Sequence, residues 1–240
     1  MSCLYLLPTQ LGDTAWPTVL PASTREIACR LQHFIVENAK TARAALKWLN
    51  HPTPLREILI EQLPEPLAPA DIDRLLIPLQ AGHDVGLMSE AGCPGVADPG
   101  ALIVRRAHEL GLGVKPLVGP SALLLALMAS GLDGQRFAFH GYLPAREPER
   151  GKRIVELEKE SRHKRQTQLF IETPYRNTAL LDALLAACHP ATLLCLASDL
   201  TLPSEIVATR RIGTWRQAPR PDLDRRPTVF LLLGADLSAD

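Results

Sequence analysis

The chain has 240 residues, in which 26 lysines and arginines are balanced by 26 aspartates and glutamates. With 46% hydrophobic and 22% charged residues, this composition excludes intrinsic disorder, because disordered chains are poor in apolar residues and carry a large net charge. It also argues against a protein that binds nucleic acid through bulk positive charge. The length fits one large domain or two modest ones.

The neutral total hides an uneven distribution of charge. Residues 1–100 carry a net charge of −4, and residues 101–240 carry one of +4. The positive charge concentrates in two basic stretches, 146–165 and 210–226. A solvated face or loop is the simplest interpretation of such a stretch, and a surface for a polyanionic substrate is the alternative.

The cysteines and the apolar segments indicate the compartment. Five cysteines are an odd number without a C-x-x-C pair, and none is grouped with histidine at zinc-ligand spacing, so we expect no metal site. The N-terminal segment lacks the basic and long apolar regions of a secretory signal. No window approaches the length of a membrane span, so we expect a cytoplasmic protein without a membrane partner.

Short apolar runs alternate with helical patterns through the first half of the chain. Ser23 or Thr24 is the expected N-cap of the first helix, and Asp98 followed by Pro99 is the expected start of the last. The predicted strands are 4–7, 34–36, 85–88 and 114–118. The predicted helices are 25–31, 41–49, 72–79 and 99–110.

The same alternation continues in the second half. The predicted strands are 168–171, 193–197 and 228–233, and the predicted helices are 122–130, 149–162 and 174–187. Residues 203–226 are expected to be irregular or antiparallel. Strands separated by helices predict an α/β architecture with largely parallel sheets, divided into domains 1–116 and 117–240.

Three loops at predicted strand ends are the expected ligand sites, because α/β folds bind ligands there. They cover residues 8–13, 89–100 and 119–122, and each combines glycine or proline with small residues. Any one of them is most simply a turn between strand and helix. Together they favour a ligand held by main-chain groups. The sequence contains no Walker phosphate loop, no nucleophile elbow and no G-x-G-x-x-G after the first strand.

Four segments in order carry a resemblance to a known family. They read LYLLPTQLG at 4–12, SEAGCPGVADPG at 89–100, PLVGPSA at 116–122 and GYLP at 141–144. This order resembles the tetrapyrrole methylase superfamily of S-adenosylmethionine (SAM)-dependent methyltransferases. The chain is most similar to the branch that contains the 16S rRNA cytidine-2′-O-methyltransferase, and the similarity extends to FIETPYR at 170–176.

The resemblance implies two α/β domains with SAM in the cleft between them, and a homodimer. Carried over position by position, it implies a set of residues near the cofactor. These are Pro8, Cys93, Val96, Ser121, Ala122, Glu172, Leu200 and Thr228. SAM suits such a site, because small residues allow close approach and main-chain groups can bind its adenine and amino-acid parts.

The chain departs from the branch on the expected substrate side. A run resembling EDTRHT in the branch reads ENAKTA at 37–42, and the usual SDAGTP reads SEAGCP at 89–94. We therefore expect a divergent paralogue. If a ribose hydroxyl is the acceptor, Glu90, Glu37 or Lys40 could serve as the general base or neighbouring cation.

Three functions remain open from the sequence. The first is methyl transfer from SAM to RNA, with the two basic stretches meeting phosphates. The second is methyl transfer to a tetrapyrrole or another small metabolite, since carboxylates also attract arginines. The third is a SAM-binding protein without catalysis, motivated by the altered run at 37–42.

Overall fold

A computed structural model describes residues 2–235. The chain divides into two compact units, one ending at Ser121 and the next beginning at Ala122. The boundary predicted from sequence, between 116 and 117, lies five residues earlier and stays a prediction. Both units combine a β-sheet with helices, which confirms the predicted α/β class.

The first unit contains five strands and six helices within its described residues. The strands are β1 (Cys3–Leu6), β2 (His33–Val36), β3 (Leu59–Gln62), β4 (Val85–Met88) and β5 (Gly113–Pro116). The helices are α1 (Trp16–Val19), α2 (Ala22–Ala28), α3 (Ala39–Trp48), α4 (Pro69–Leu75), α5 (Ile77–Gln80) and α6 (Gly100–Glu109).

The sheet of the first unit is parallel throughout, in the order β3-β2-β4-β1-β5. Alternate residues of its strands enter two separate apolar clusters. Phe34 and Val36 pack into one cluster, whereas Ile35 packs into the other. Both faces are therefore covered, as parallel sheets require, and the ligand-accessible part of the sheet is the edge where its strands end.

The second unit contains five strands, β6 to β10, and four helices, α7 to α10. The strands are β6 (Phe137–Tyr142), β7 (Thr167–Ile171), β8 (Leu193–Ser198), β9 (Ile206–Arg211) and β10 (Thr228–Leu233). The helices are α7 (Ala122–Ser130), α8 (Glu149–Lys164), α9 (Asn177–Ala187) and α10 (Ile212–Gln217). Phe170 and Phe230 stack in its core with ring centroids 6.0 Å apart.

The second sheet corrects the expectation of largely parallel sheets. Its order is β6-β7-β10-β8-β9, and only β6 and β7 are parallel. The other three pairings are antiparallel, because β8 turns back directly into β9 and β10 returns between β7 and β8. The antiparallel alternative for 203–226 is confirmed by β9.

The two helix starts for which the sequence predicts an N-cap residue differ from the structure. Helix α2 begins at Ala22, so Thr24 lies inside it and its hydroxyl donates to the Val118 carbonyl at 2.8 Å instead of capping. Helix α6 begins at Gly100, one residue after the expected start. The Asp98 carboxylate still accepts the Gly100 amide at 2.7 Å, so it acts as a cap from one position further out. Among residues 2–235, no helix has the length and apolar character needed to cross a membrane.

Candidate functional site

Three loops meet where the strands of the first sheet end. They follow β1, β4 and β5, and we call them the carboxyl-edge loops (residues 7–13, 89–99 and 117–121). Thr9 and Gly92 exchange two main-chain hydrogen bonds, of 2.9 and 3.3 Å, which join the first loop to the second. The Cys93 thiol donates to the Pro120 carbonyl at 3.4 Å and joins the second to the third. The sequence-predicted loops therefore form one continuous rim.

Close packing of main chain holds the third carboxyl-edge loop against the first. A Cβ atom added to Gly119 would lie 2.4 Å from Cβ of Pro8, a distance that real side chains do not adopt. Pro8 itself is buried. The two segments can approach this closely only because residue 119 is glycine.

Two buried polar atoms in the first loop have no hydrogen-bond partner among the described residues. They are Oγ1 of Thr9 and Oε1 of Gln10. Buried polar groups are nearly always satisfied, so these two atoms are available to ordered water or to a ligand on the rim. Neither residue is among the cofactor residues predicted from the sequence. Their position directly after Pro8 in a predicted ligand loop was the available signal.

Carboxylates organise the second carboxyl-edge loop. Oε2 of Glu37, at the end of β2, accepts the main-chain amide of Glu90 at 2.9 Å. Asp98 accepts the amides of Gly95 and Gly100 at 2.8 and 2.7 Å. Burial is the largest influence on both groups and raises the pKa of Glu37 and of Asp98, although the amide hydrogen bonds act in the opposite direction.

The three predicted acid–base candidates have different environments. Glu37 is half-buried and occupied in holding the loop, whereas the Glu90 side chain is exposed. Lys40 is exposed on the first turn of α3. Asn38, which replaces the aspartate of the branch pattern, caps that helix by accepting the amides of Lys40 and Thr41 at 2.9 and 3.3 Å. The segment 37–42, which departs from the branch pattern, therefore still begins a capped helix.

Three of the cofactor residues predicted in the second unit lie at one edge of its sheet. Glu172 follows β7, Thr228 begins β10, and Leu200 follows β8, and all three are buried. Oε1 of Glu172 accepts the Thr173 amide at 2.6 Å and Arg176 Nη2 at 2.7 Å. Its other oxygen, Oε2, is buried and has no partner within the described chain. The hydroxyls of Thr228 and Ser198 lie 2.8 Å apart.

The remaining predicted cofactor residues lie in or beside the carboxyl-edge loops. Val96 is exposed in the second loop, and its amide donates to the Cys93 carbonyl at 3.3 Å. Ser121 ends the third loop and Ala122 is the first residue of α7. The structure therefore brings Pro8, Cys93 and Val96 onto one rim. Their contact with a cofactor stays a prediction.

Comparison with known proteins decides the family to which this chain belongs. The model for the Tetrapyrrole (Corrin/Porphyrin) Methylases matches residues 32–215. The chain belongs to the tetrapyrrole methylase family. The matched range includes the second and third carboxyl-edge loops and the buried edge at Glu172 and Leu200.

Curated relatives within the tetrapyrrole methylase family carry the name ribosomal RNA small subunit methyltransferase I. The protein from Escherichia coli O157:H7 is 30% identical over 242 residues, covering 96% of this chain and 76% of the relative. The protein from Xylella fastidiosa (strain Temecula1) is 34% identical over 161 residues, covering 67% of this chain and 58% of the relative. The match thus spans little more than half of the Xylella protein.

A solved structure of another methyltransferase shares the fold. The crystal structure of the methyltransferase CobJ superposes with a TM-score of 0.64, covering 98% of this chain and 95% of that chain. The sequence identity is 16%, so this likeness concerns the fold alone. It shows that the α/β fold of this chain also occurs in that methyltransferase.

Proposed function

We propose that this chain transfers a methyl group from SAM to the RNA of the small ribosomal subunit, with a ribose 2′-hydroxyl as the acceptor. Family membership supports the methyltransferase class. The names of relatives that are 30–34% identical support the substrate. The acceptor atom follows from the resemblance to the 2′-O-methyltransferase branch.

The observation that carries the cofactor assignment is the buried, unpartnered hydroxyl of Thr9 on the rim of joined loops. SAM supplies an activated methyl group on a sulfonium when bound. Its ammonium, ribose hydroxyls and adenine amine are donors that match the open acceptors Thr9 Oγ1 and Gln10 Oε1. Taken by itself, the second unit also has a buried acceptor without a partner among its described residues, Oε2 of Glu172. The residues present therefore fit the cofactor.

The chain's own contribution to the reaction is positioning and proton removal. The hydrogen bond from the Glu90 amide to Glu37 fixes the second carboxyl-edge loop, and holding reactants in line lowers the barrier of a bimolecular transfer. Among the three candidates, we assign the general base for the ribose hydroxyl to Glu90, because its carboxylate is exposed while that of Glu37 is engaged. Lys40 would stabilise the developing negative charge on the oxygen.

The same proposal includes the compartment and the oligomeric state of the protein. An RNA of the ribosome as substrate places the enzyme in the cytoplasm, and the family resemblance implies a homodimer. Sedimentation of the purified chain would test the second point. A monomer at concentrations that support activity would contradict it.

The Thr9 hydroxyl allows a direct test of the cofactor site. Thr9→Val keeps the shape of the side chain and removes a buried hydroxyl that no group among residues 2–235 satisfies, so we expect the free energy of unfolding to stay the same or rise. We expect the Kd for SAM, measured by calorimetry, to rise about two- to tenfold, the value of one hydrogen bond.

A matched variant separates this effect from a general loss of stability. The buried hydroxyl of Thr167 donates to the Asp133 carbonyl at 2.8 Å, so Thr167→Val should lower the free energy of unfolding by about 1 kcal/mol and leave SAM affinity unchanged. If Thr9→Val binds SAM as tightly as the unmodified chain, the hydroxyl does not contact the cofactor. Absence of SAM binding by the unmodified chain would refute the cofactor assignment itself.

A further inference from the structure

The two basic stretches of the sequence converge on one pocket of the second unit. Arg162 and Arg165 come from the end of α8, in the first stretch, and Arg211 ends β9, in the second. Together with Leu193 and Leu233 they line a cavity of about 360 Å³. We call this the arginine pocket. Its volume lies in the range that holds small ligands.

Main-chain packing fixes the shape of the arginine pocket. Leu193 pairs with Arg211 and with Leu233 at one edge of the sheet. The amide of Gly234 donates to the Ser161 hydroxyl at 2.8 Å, and a Cβ on Gly234 would lie 2.8 Å from the Glu158 carbonyl. Helix α8 is therefore seated directly on the end of β10, and its arginines are carried by a rigid support.

The charges of the arginine pocket favour an anion. Three arginines and one acidic residue, Asp133, are among the lining residues, and Oδ1 of Asp133 already accepts the amides of Gln135 and Arg136 at 2.7 and 3.2 Å. Nε of Arg162 is buried without a hydrogen-bond partner among residues 2–235. The nearest contact of its Nη2 with Glu158 is 3.8 Å, longer than a hydrogen bond. Guanidinium groups bind phosphate oxygens through paired N–H donors.

Within the second unit, the arginine pocket lies away from the candidate cofactor edge at Thr228. Leu193 lines the pocket, and Ser198, at the other end of β8, contacts Thr228 at the candidate cofactor edge. The strand between them spans roughly 17 Å at about 3.4 Å per residue. A stacked nucleic acid strand, at about 3.4 Å per nucleotide, covers that distance with about five nucleotides, whereas a small metabolite bound at the edge would not reach the pocket.

We propose that the arginine pocket binds a backbone phosphate of the substrate RNA several nucleotides away from the reacting ribose. This inference rests on the proposed RNA substrate and adds an anchoring site to it. The pocket would fix the register of the RNA without reading its bases, because phosphate contacts position a nucleic acid and base contacts specify its sequence.

The test compares Arg211→Glu with the unmodified chain in binding to single-stranded RNA fragments of the small ribosomal subunit, by fluorescence anisotropy. We expect Arg211→Glu to raise the Kd about tenfold and to lower the slope of log affinity against log salt by about one. Fragments too short to span from the candidate site to the pocket should bind both proteins equally. SAM affinity should be the same in both.

Arg225→Glu is the matched control, because Arg225 lies in the same basic stretch, outside the pocket, with its side chain 87% exposed. Equal weakening by both variants would show a diffuse basic surface and overturn the proposal. The proposal is also overturned if inorganic phosphate raises the Tm of the unmodified chain but not of Arg211→Glu while RNA binding is identical, since the pocket would then hold a free anion.

Different results would refute the arginine pocket and the proposed RNA substrate. An unmodified chain that binds SAM but neither binds nor methylates RNA would refute the RNA substrate. Full RNA binding and methylation by Arg211→Glu, with activity intact in the unmodified chain, would refute the arginine pocket alone.

Discussion

Glu37 shows how a single side chain links loop order to pH. Its carboxylate accepts the Glu90 amide, and burial raises its pKa above the ordinary value of 4.5. Between the ordinary and the raised pKa the folded state binds more protons than the unfolded state. Stability therefore falls as the pH rises through this window, and the penalty persists at higher pH.

Glu37→Gln should remove this pH dependence. The amide oxygen of glutamine can still accept the Glu90 amide, but the side chain no longer carries a charge that burial disfavours. At neutral pH we expect the variant to be more stable by about 0.5 kcal/mol after allowance for solvent screening, and the difference to shrink as the pH falls through the raised pKa and to vanish below the ordinary value of 4.5. Urea unfolding at several pH values measures both.

Glu26→Gln, an exposed position on α2, controls for the loss of one negative charge. If Glu37→Gln does not raise the free energy of unfolding at neutral pH, the buried Glu37 carboxylate is not destabilising. The same conclusion holds if the increase is as large at acid pH as at neutral pH.

The residues of the candidate site were only partly predictable from sequence. Pro8 and Cys93 lie in loops whose glycines and prolines mark strand ends, so their neighbourhood was accessible to pattern analysis. The buried, unpartnered oxygens of Thr9 and Gln10 were not predictable, because the hydrogen-bond partners of a side chain depend on the three-dimensional packing around it.

At the scale of elements, the close contact between Gly119 and Pro8 holds the carboxyl-edge loops together. Gly119→Ala would place a methyl group 2.4 Å from the rigid proline ring, so the loops must separate. We expect the free energy of unfolding to fall by about 1–3 kcal/mol, as is usual for overpacking, and SAM affinity to weaken with it. Chemical denaturation and calorimetry measure the two effects.

Gly134→Ala is the control for that substitution, because a Cβ at residue 134 meets no atom within 4 Å. It should leave both the stability and the SAM affinity unchanged. Equal stability of Gly119→Ala and Gly134→Ala would contradict the close packing of the first and third loops.

Pattern analysis found the buried central strands and missed two strands at sheet edges. Strands β4 and β10 are almost wholly buried, and their predicted bounds match the structure. Strands β3 and β6 lie at sheet edges and contain no fully buried residue, so they lack the apolar signal. The antiparallel second sheet was also missed, since strand direction depends on connections that periodicity does not encode.

At the scale of the whole molecule, a net charge of zero coexists with a localised basic pocket. The balanced total excludes a uniformly basic protein, but two stretches distant in sequence bring three arginines together in the second unit. This placement favours binding that depends on particular phosphates. The expected salt dependence of RNA binding is therefore modest in slope and sensitive to single arginines.

Methyl transfer from labelled SAM tests the central claim most directly. The purified chain is incubated with labelled SAM and either small-subunit ribosomal RNA that lacks the modification or a uroporphyrinogen-type tetrapyrrole. We predict label in the RNA, retained on a ribose after digestion to nucleosides, and none in the tetrapyrrole. Label in the tetrapyrrole alone, or in neither acceptor while calorimetry shows SAM binding, would contradict the proposed function.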